Sequence, residues 1–344
     1  MTTARTTSSA RALAVLATPV VLLSLLGLAV QTTAQAKSSS EGCTGAYRWP
    51  VKPFDNAHPV RANFGDPRTR FTGPDTPETL LEGDGTFSFH QGVDISAPDG
   101  APVYTVASGT IVRARGGRVT VDCGNGRSLQ YWHVNPVARA GQHAVAGETL
   151  LGFVQPKREH VHLTHLERGR AVNPLAPGHL TPYRDATKPR VLGIAVRGVD
   201  GEPAQTIAVS GRVSFVAEAV DTPALPVPGR WHGFPVTPAR LSWRIERDGR
   251  VVVAQRIVRD VARTVPRNDR FWETFARATH QNWPIFDGHK YQFVPGRYLF
   301  RLSARPLDTR KLADGDYELV VVAEDTAGNR DERHLSFSVD NSTS

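Results

Sequence analysis

The sequence predicts an all-β protein in two halves, and three observations carry that prediction. Short apolar runs rich in Val, Ile, Thr and Tyr recur along the chain, as in PVYTVASGTIVRAR (102–115), GRVTVDCGNG (117–126) and SLQYWHV (128–134). Glycine-bearing turns punctuate them, Gly124-Asn125-Gly126 in the first half and Asp248-Gly249 in the second, each between residues that alternate as strands do. The grammar changes across a polar stretch, YRDATKPR (183–190), which reads as a linker. We therefore expect an antiparallel β domain over 60–182 and a second β domain over 191–341.

Before these lies a different segment. Arg5 and Arg11 sit in a polar lead, Ala12 to Val30 is uncharged and mostly apolar, and Ala34-Gln35-Ala36 follows. A positive region, an apolar region and a small-residue cleavage site, in that order, read as a secretory leader over 1–36. Thr18, Pro19, Ser24 and Gly27 argue against a retained anchor, so no stable membrane span is expected after cleavage. Residues 37–59 then form an N-terminal tail. The two cysteines, Cys43 and Cys123, are an even count in a compartment that permits disulfides, and a bridge between them would tie that tail to the first domain. Their separation excludes a local Cys-x-x-Cys metal or redox site.

The formal charge is +8, and the two leader arginines bring an exported chain to +6. No nucleic-acid motif accompanies it, so the expected anionic partner is an envelope surface.

In the second half, DGDYELVVVAEDTAGNR puts Tyr317, Leu319, Val321 and Ala323 on one strand face, and Leu335, Phe337 and Val339 repeat the pattern. A tyrosine opening a late strand suggests the tyrosine corner of an Ig-like β-sandwich. One segment departs from the strand rhythm. Phe271, Phe275 and Ala278 recur at helical spacing after Asp269, so 266–295 reads as an insertion with one short helix capped by Asp269. Of the tryptophans, Trp231, Trp243, Trp272 and Trp283 read equally as core or as surface.

Histidines carry the chemistry. In HVHLTHLE (160–167), strand alternation puts His160, His162 and Thr164 on one face, and Val161, Leu163 and His165 on the other. His160 and His162 can enter one site, while His165 belongs to the packing face. Two imidazoles do not complete a catalytic zinc site, which takes three protein ligands and an open position. Upstream, FSFHQGVDISAPDG offers His90 and Asp94, which share a face if the chain there is extended. His133 follows Tyr131 at the end of another strand.

The ordered set His90-x-x-x-Asp94, Tyr131-x-His133 and His160-x-His162 resembles the lysostaphin/LytM-type zinc endopeptidases, which cleave peptides of bacterial peptidoglycan. FGDPR (64–68), HQGVDISAPDGAPVYTVASGTIV (90–112), GQHAVAGETLLG (141–152) and HVHLTHLERGRAVNPL (160–175) extend the likeness in family order. The resemblance implies one Zn²⁺ per chain, with His90, Asp94 and His162 as ligands and His133 and His160 as catalytic histidines. It implies a secreted, cell-wall-associated endopeptidase acting on peptidoglycan peptides. The alternative is a non-catalytic wall-binding or regulatory protein that uses the same groove to activate a partner hydrolase. One departure stands out: the approach to His160 is QPKRE (155–159), short and charged where the family has a Gly/Ser/Thr-rich loop. That change bears on the groove wall and on substrate preference.

Overall fold

Turn chemistry sets the strand pairing. Asn125 and Gly126 take φ of 54° and 71°, and Asp248 and Gly249 take 49° and 72°. Paired positive dihedrals of this kind close a two-residue hairpin with the twist of its strands. The first turn joins Arg118–Gly124 to Arg127–Trp132, and the second joins Arg240–Arg247 to Arg250–Asp260. The structure, a computed structural model, describes residues 43–72, 84–197, 208–286 and 293–342, and the backbone of 289–290. The expected leader, 1–36, and the start of the tail lie outside the described residues. Among the described residues no helix is long and apolar enough to cross a membrane.

Strands dominate, mostly antiparallel, as the sequence predicts. The sheet that positions the site runs in the order Val60–Ala62, Val93–Ser96, His160–Glu167, Arg127–Trp132, Arg118–Gly124, Gly109–Arg115 and His143–Ala144. Arg170–Val172 also pairs with His160–Glu167, so this strand is bonded on both sides. Its apolar face buries Val161 and Leu163 among Ile95, Leu129 and Tyr131. The second half forms one sheet around Arg190–Arg197 and Arg212–Val220, and another running Ala208–Val209, Arg330–Val339, Gly315–Glu324, Arg240–Arg247 and Arg250–Asp260.

Two large apolar clusters result among the described residues, one drawn mainly from residues 43–180 and one from 191–339, each taking residues from the other stretch, beside a small one at Phe71 and Phe286. Val261 packs in the first and Phe89 in the second. Ile285–Phe286 pairs in parallel with Pro67–Phe71, which extends a small sheet from one half into the other. Trp243 is core, 1% exposed. Cys43 and Cys123 form a disulfide that joins the tail to the hairpin strand Arg118–Gly124. A link closing a loop of this span contributes about 2–5 kcal/mol, chiefly by restricting the unfolded chain.

The short helix read within 266–295 is a single turn, Phe271–Thr274, and Asp269 does not cap it; the N-cap position is Arg270, without a side-chain cap bond. Phe275 is extended, with φ −99° and ψ 147°, and bridges Phe300. Pairing with a neighbouring strand overrides the local helical spacing here.

His165 lies on the packing face, as alternation predicts, and is 0% exposed. Its Nδ1 lies 3.4 Å from the Tyr47 hydroxyl, its ring centroid lies 5.0 Å from that of His179, and Nε2 has no hydrogen-bond partner among the described residues. Burial, helped by His179 and Arg127 and opposed by Glu167, lowers its pKa to about 4. A histidine depressed in the fold binds its proton more tightly when unfolded, so its contribution is complete above about pH 6.5 and is lost as pH falls toward 4. We expect urea-denaturation stability to drop across that window by on the order of 3 kcal/mol from this group. The slope should be shallower in His165→Gln; equal slopes would show that another group carries the effect.

Candidate metal centre

Strand pairing makes half of the site. His160–Glu167 and Val93–Ser96 run antiparallel with His162 opposite Asp94, so the two side chains stand together on the face turned from the core. His90 arrives by another route. An extended chain from His90 to Asp94 is not what forms: one strand ends at Phe89 and the next starts at Val93. The short crossing between them brings His90 to Asp94. Gly92 permits that crossing, because a Cβ there would lie 2.3 Å from the Leu163 carbonyl oxygen and 2.7 Å from His162 Nε2.

Three donor atoms converge as a result. Asp94 Oδ1 lies 3.1 Å from His90 Nε2 and 2.9 Å from His162 Nδ1, and the two nitrogens are 2.8 Å apart. All three fall within 4.8 Å of one another. Their outer atoms are occupied. His90 Nδ1 donates to the Asn63 carbonyl at 2.9 Å, His162 Nε2 pairs with the Thr164 hydroxyl at 2.7 Å, and Arg68 donates to Asp94 Oδ2 at 2.9 Å. Partners of this kind fix ring orientation and tautomer and aim a lone pair at the centre. Two imidazole nitrogens and a carboxylate oxygen suit Zn²⁺, and three is the number of protein ligands a catalytic zinc takes. Burial would raise the Asp94 carboxyl, but His90, His160 and Arg68, with the hydrogen bond from His162, hold it well below the usual carboxylate range. Burial, with Arg68, lowers His90 to about 3, so it is neutral at pH 7, the form that can ligate a metal.

His160 and His133 flank this triad. His160 Nε2 is 3.6 Å from Asp94 Oδ1, and its ring centroid lies 4.5 Å from that of His133. His133 is held at φ 64°, where its strand breaks before Val134–Pro136, and Gln155 N donates to its carbonyl at 2.8 Å. Non-glycine residues in this left-handed region are uncommon and mark positions that the surrounding structure enforces. Burial lowers His133 to about 4 and His160 to about 3, so both are neutral at pH 7 and able to accept a proton. Tyr131, beside His133 in the sequence, instead turns inward, where its hydroxyl accepts from Val106 N at 2.8 Å.

Sequence reading marked QPKRE as a changed groove wall but not the residues that the loop meets. The QPKRE loop folds onto Asp99, whose carboxylate accepts from the backbone N–H groups of Lys157, Arg158 and Glu159. Glu159 then accepts from Trp231 Nε1 at 3.2 Å and pairs with Arg230 at 3.4 Å, and the Arg61 guanidinium stacks 4.2 Å over the Trp231 ring. A cavity of about 380 Å³ opens between His133, His160 and this wall, which Trp283 also lines. A second, of about 610 Å³, lies on the other side, between His90, His162 and Trp132. Arg68, Asp94 and His133 border both, so a groove crosses the triad. Two of the ambiguous tryptophans are thus groove residues.

Residues 88–174, which contain His90, Asp94, His133, His160 and His162, match the model of Peptidase family M23. The resemblance to lysostaphin/LytM-type peptidases is borne out over that segment. Similar solved structures include a zinc-containing peptidase from Vibrio cholerae, 21% identical over 38% of this chain and 39% of that chain, with a TM-score of 0.29. The catalytic domain of the prophage-encoded M23 protein EnpA from Enterococcus faecalis is 22% identical over 32% of this chain and 88% of that one, with a TM-score of 0.22. The solution structure of lysostaphin gives 17%, 50%, 82% and 0.27 on the same measures. This chain therefore spans less than half the length of the Vibrio cholerae peptidase. A search of the curated proteins found no match.

Proposed function

We propose that the chain is a secreted, zinc-dependent endopeptidase that hydrolyses peptide bonds of bacterial peptidoglycan at the cell-wall surface. The observation that carries this reading is the convergence of His90 Nε2, Asp94 Oδ1 and His162 Nδ1 beside two further neutral histidines. One zinc ion, held by that triad, would supply Lewis acidity toward a peptide carbonyl and toward water. The rest falls to the chain. His160 Nδ1 lies 2.6 Å from the Arg158 carbonyl, and donation there leaves Nε2 with a lone pair facing the cleft, placed to take a proton. His133, across from it, can donate to the oxygen on which negative charge develops. The groove on either side of the triad would hold the peptide.

On this reading residues 60–182 are the peptidase domain, 183–190 the linker and 191–341 an Ig-like sandwich. The Tyr317 hydroxyl donates to the Ala313 carbonyl at 2.6 Å, the bond a tyrosine corner makes, which supports the last assignment. Digestion of sacculi from several wall types, with products identified by mass spectrometry, tests the proposal. Cross-linked muropeptides should disappear with new amino termini, and a chelator should stop the reaction. Zinc-loaded protein that left every cross-link intact would overturn it and favour a regulatory protein.

A further inference from the structure

We propose that Arg61 is a carboxylate receptor in the groove, so that the enzyme selects acidic peptides with a free carboxylate close to the scissile bond. The proposal deepens the endopeptidase reading and rests on it for the reaction, though not for binding.

Arg61 owes its position to a register irregularity. Val60 and Ala62 are buried and pair with Ile95 and Asp94, with a bulge between them. Alternation turns Arg61 to the other face, toward His160 and the groove. The guanidinium is stacked on Trp231 but short of acceptors. Nη1 is buried with no hydrogen-bond partner among the described residues. Nη2 lies 2.6 Å from His160 Nδ1, the atom that also lies 2.6 Å from the Arg158 carbonyl. A ring nitrogen that donates to a carbonyl cannot also accept from a guanidinium. In the tautomer that leaves His160 Nε2 basic, both terminal nitrogens of Arg61 therefore lack an acceptor. Leaving a buried donor unsatisfied is unfavourable, and burial already lowers the Arg61 pKa to about 10.

A planar carboxylate is the acceptor that matches this fork. The groove's charge agrees. Arg61, Arg68, Arg70, Lys157, Arg158 and Arg230 line the cavity on this side. Its acids are already engaged: Asp66 with Thr237 and Asn63, Asp94 in the triad and with Arg68, Glu159 with Arg230 and Trp231. The surplus is positive, and low-dielectric walls strengthen its pull on an anion. A neutral glycine-only bridge offers these side chains only peptide carbonyls, whereas a peptide with side-chain or terminal carboxylates offers a charged, planar pair of acceptors.

Two cross-linked peptides that differ only in having free carboxylates or carboxamides beside the bridge test the proposal. Hydrolysis would be followed with the zinc-loaded full chain, and affinity by calorimetry on zinc-loaded His133→Ala. The free acid should be favoured about 10- to 100-fold in both measurements, the range of a charged hydrogen-bonded contact. Arg61→Gln should bring the preference to within about twofold, chiefly by weakening the acid peptide. Arg61→Lys, which keeps the charge and loses the fork, should retain part of it and carries the test if the glutamine variant does not fold. Equal affinity of the wild type for both peptides, or equal losses on both in Arg61→Gln, would overturn the proposal. Discrimination in binding without hydrolysis of either peptide would instead overturn the endopeptidase reading and leave the receptor standing.

Discussion

Replacing His162 by alanine is expected to give a folded chain that holds no stoichiometric zinc and hydrolyses no peptide. His162 Nδ1 is the donor nearest both others, 2.8 Å from His90 Nε2 and 2.9 Å from Asp94 Oδ1. Without it only two donors remain, one fewer than a catalytic zinc site takes from its protein. Folding should survive, because His162 is half-buried on the groove face, away from the Val161 and Leu163 packing. The stability change should stay within about 1 kcal/mol. His160→Ala, two residues away, should behave differently. Its Nε2 lies outside the donor triad, 3.6 Å from Asp94 Oδ1, so zinc stays bound while turnover falls roughly 10²–10⁴-fold with loss of the proton acceptor. Metal analysis of dialysed protein, set beside muropeptide digestion, separates the two. One zinc per chain in His162→Ala, or none in His160→Ala, would reverse the assignments.

The division of HVHLTHLE was legible in the sequence because strand alternation is a strict period of two. Once His160 and His162 face the groove, His165 must face the core, where it lies. The approach of His90 to Asp94 was legible only as a pair, since the crossing at Gly92 depends on a carbonyl contributed by Leu163, far along the chain. The wall was legible only in part: QPKRE, with Glu159, marked a changed groove edge, Trp231 read as core or surface alike, and Arg61 gave no signal. Their meeting could not be read, because they become a wall only where three distant segments come together. Phe275 misled for the converse reason: its helical spacing from Phe271 was real, and its N–H still donates to the Phe271 carbonyl. The next residue turns to the neighbouring strand, where Ala276 N donates to the Leu299 carbonyl at 2.8 Å, in place of one more turn of a short helix.

A buried cluster that joins the halves should dominate stability. Arg259, 2% exposed, donates through Nη1 and Nη2 to the Gly65 carbonyl at 3.0 Å each, through Nη2 to Thr237 Oγ1 at 2.8 Å and through Nε to the Pro238 carbonyl at 3.1 Å. Thr237 in turn donates to Asp66 Oδ1 from its N–H at 2.9 Å and its hydroxyl at 2.6 Å. Gly65 takes φ 82°, and a Cβ there would meet Arg259 Nη2 at 2.8 Å, so the turn and the arginine fit only each other. Arg259→Met should therefore destabilise by about 3–5 kcal/mol, because it strips the buried Gly65 and Pro238 carbonyls of their donor and removes a buried cation that Asp66 stabilises. Asp66→Ala should cost a similar amount, and the double variant less than the two together, since each single change strands the other's partner. The effect should reach the metal centre. Gly65 N donates to the His90 carbonyl at 2.8 Å and His90 N to the Asp66 carbonyl at 2.9 Å, so the turn that Arg259 grips also fixes the backbone of the first ligand. Zinc affinity of folded Arg259→Met should fall along with its urea midpoint; unchanged affinity alongside the full stability loss would show that His90 is held by its own strand crossing alone.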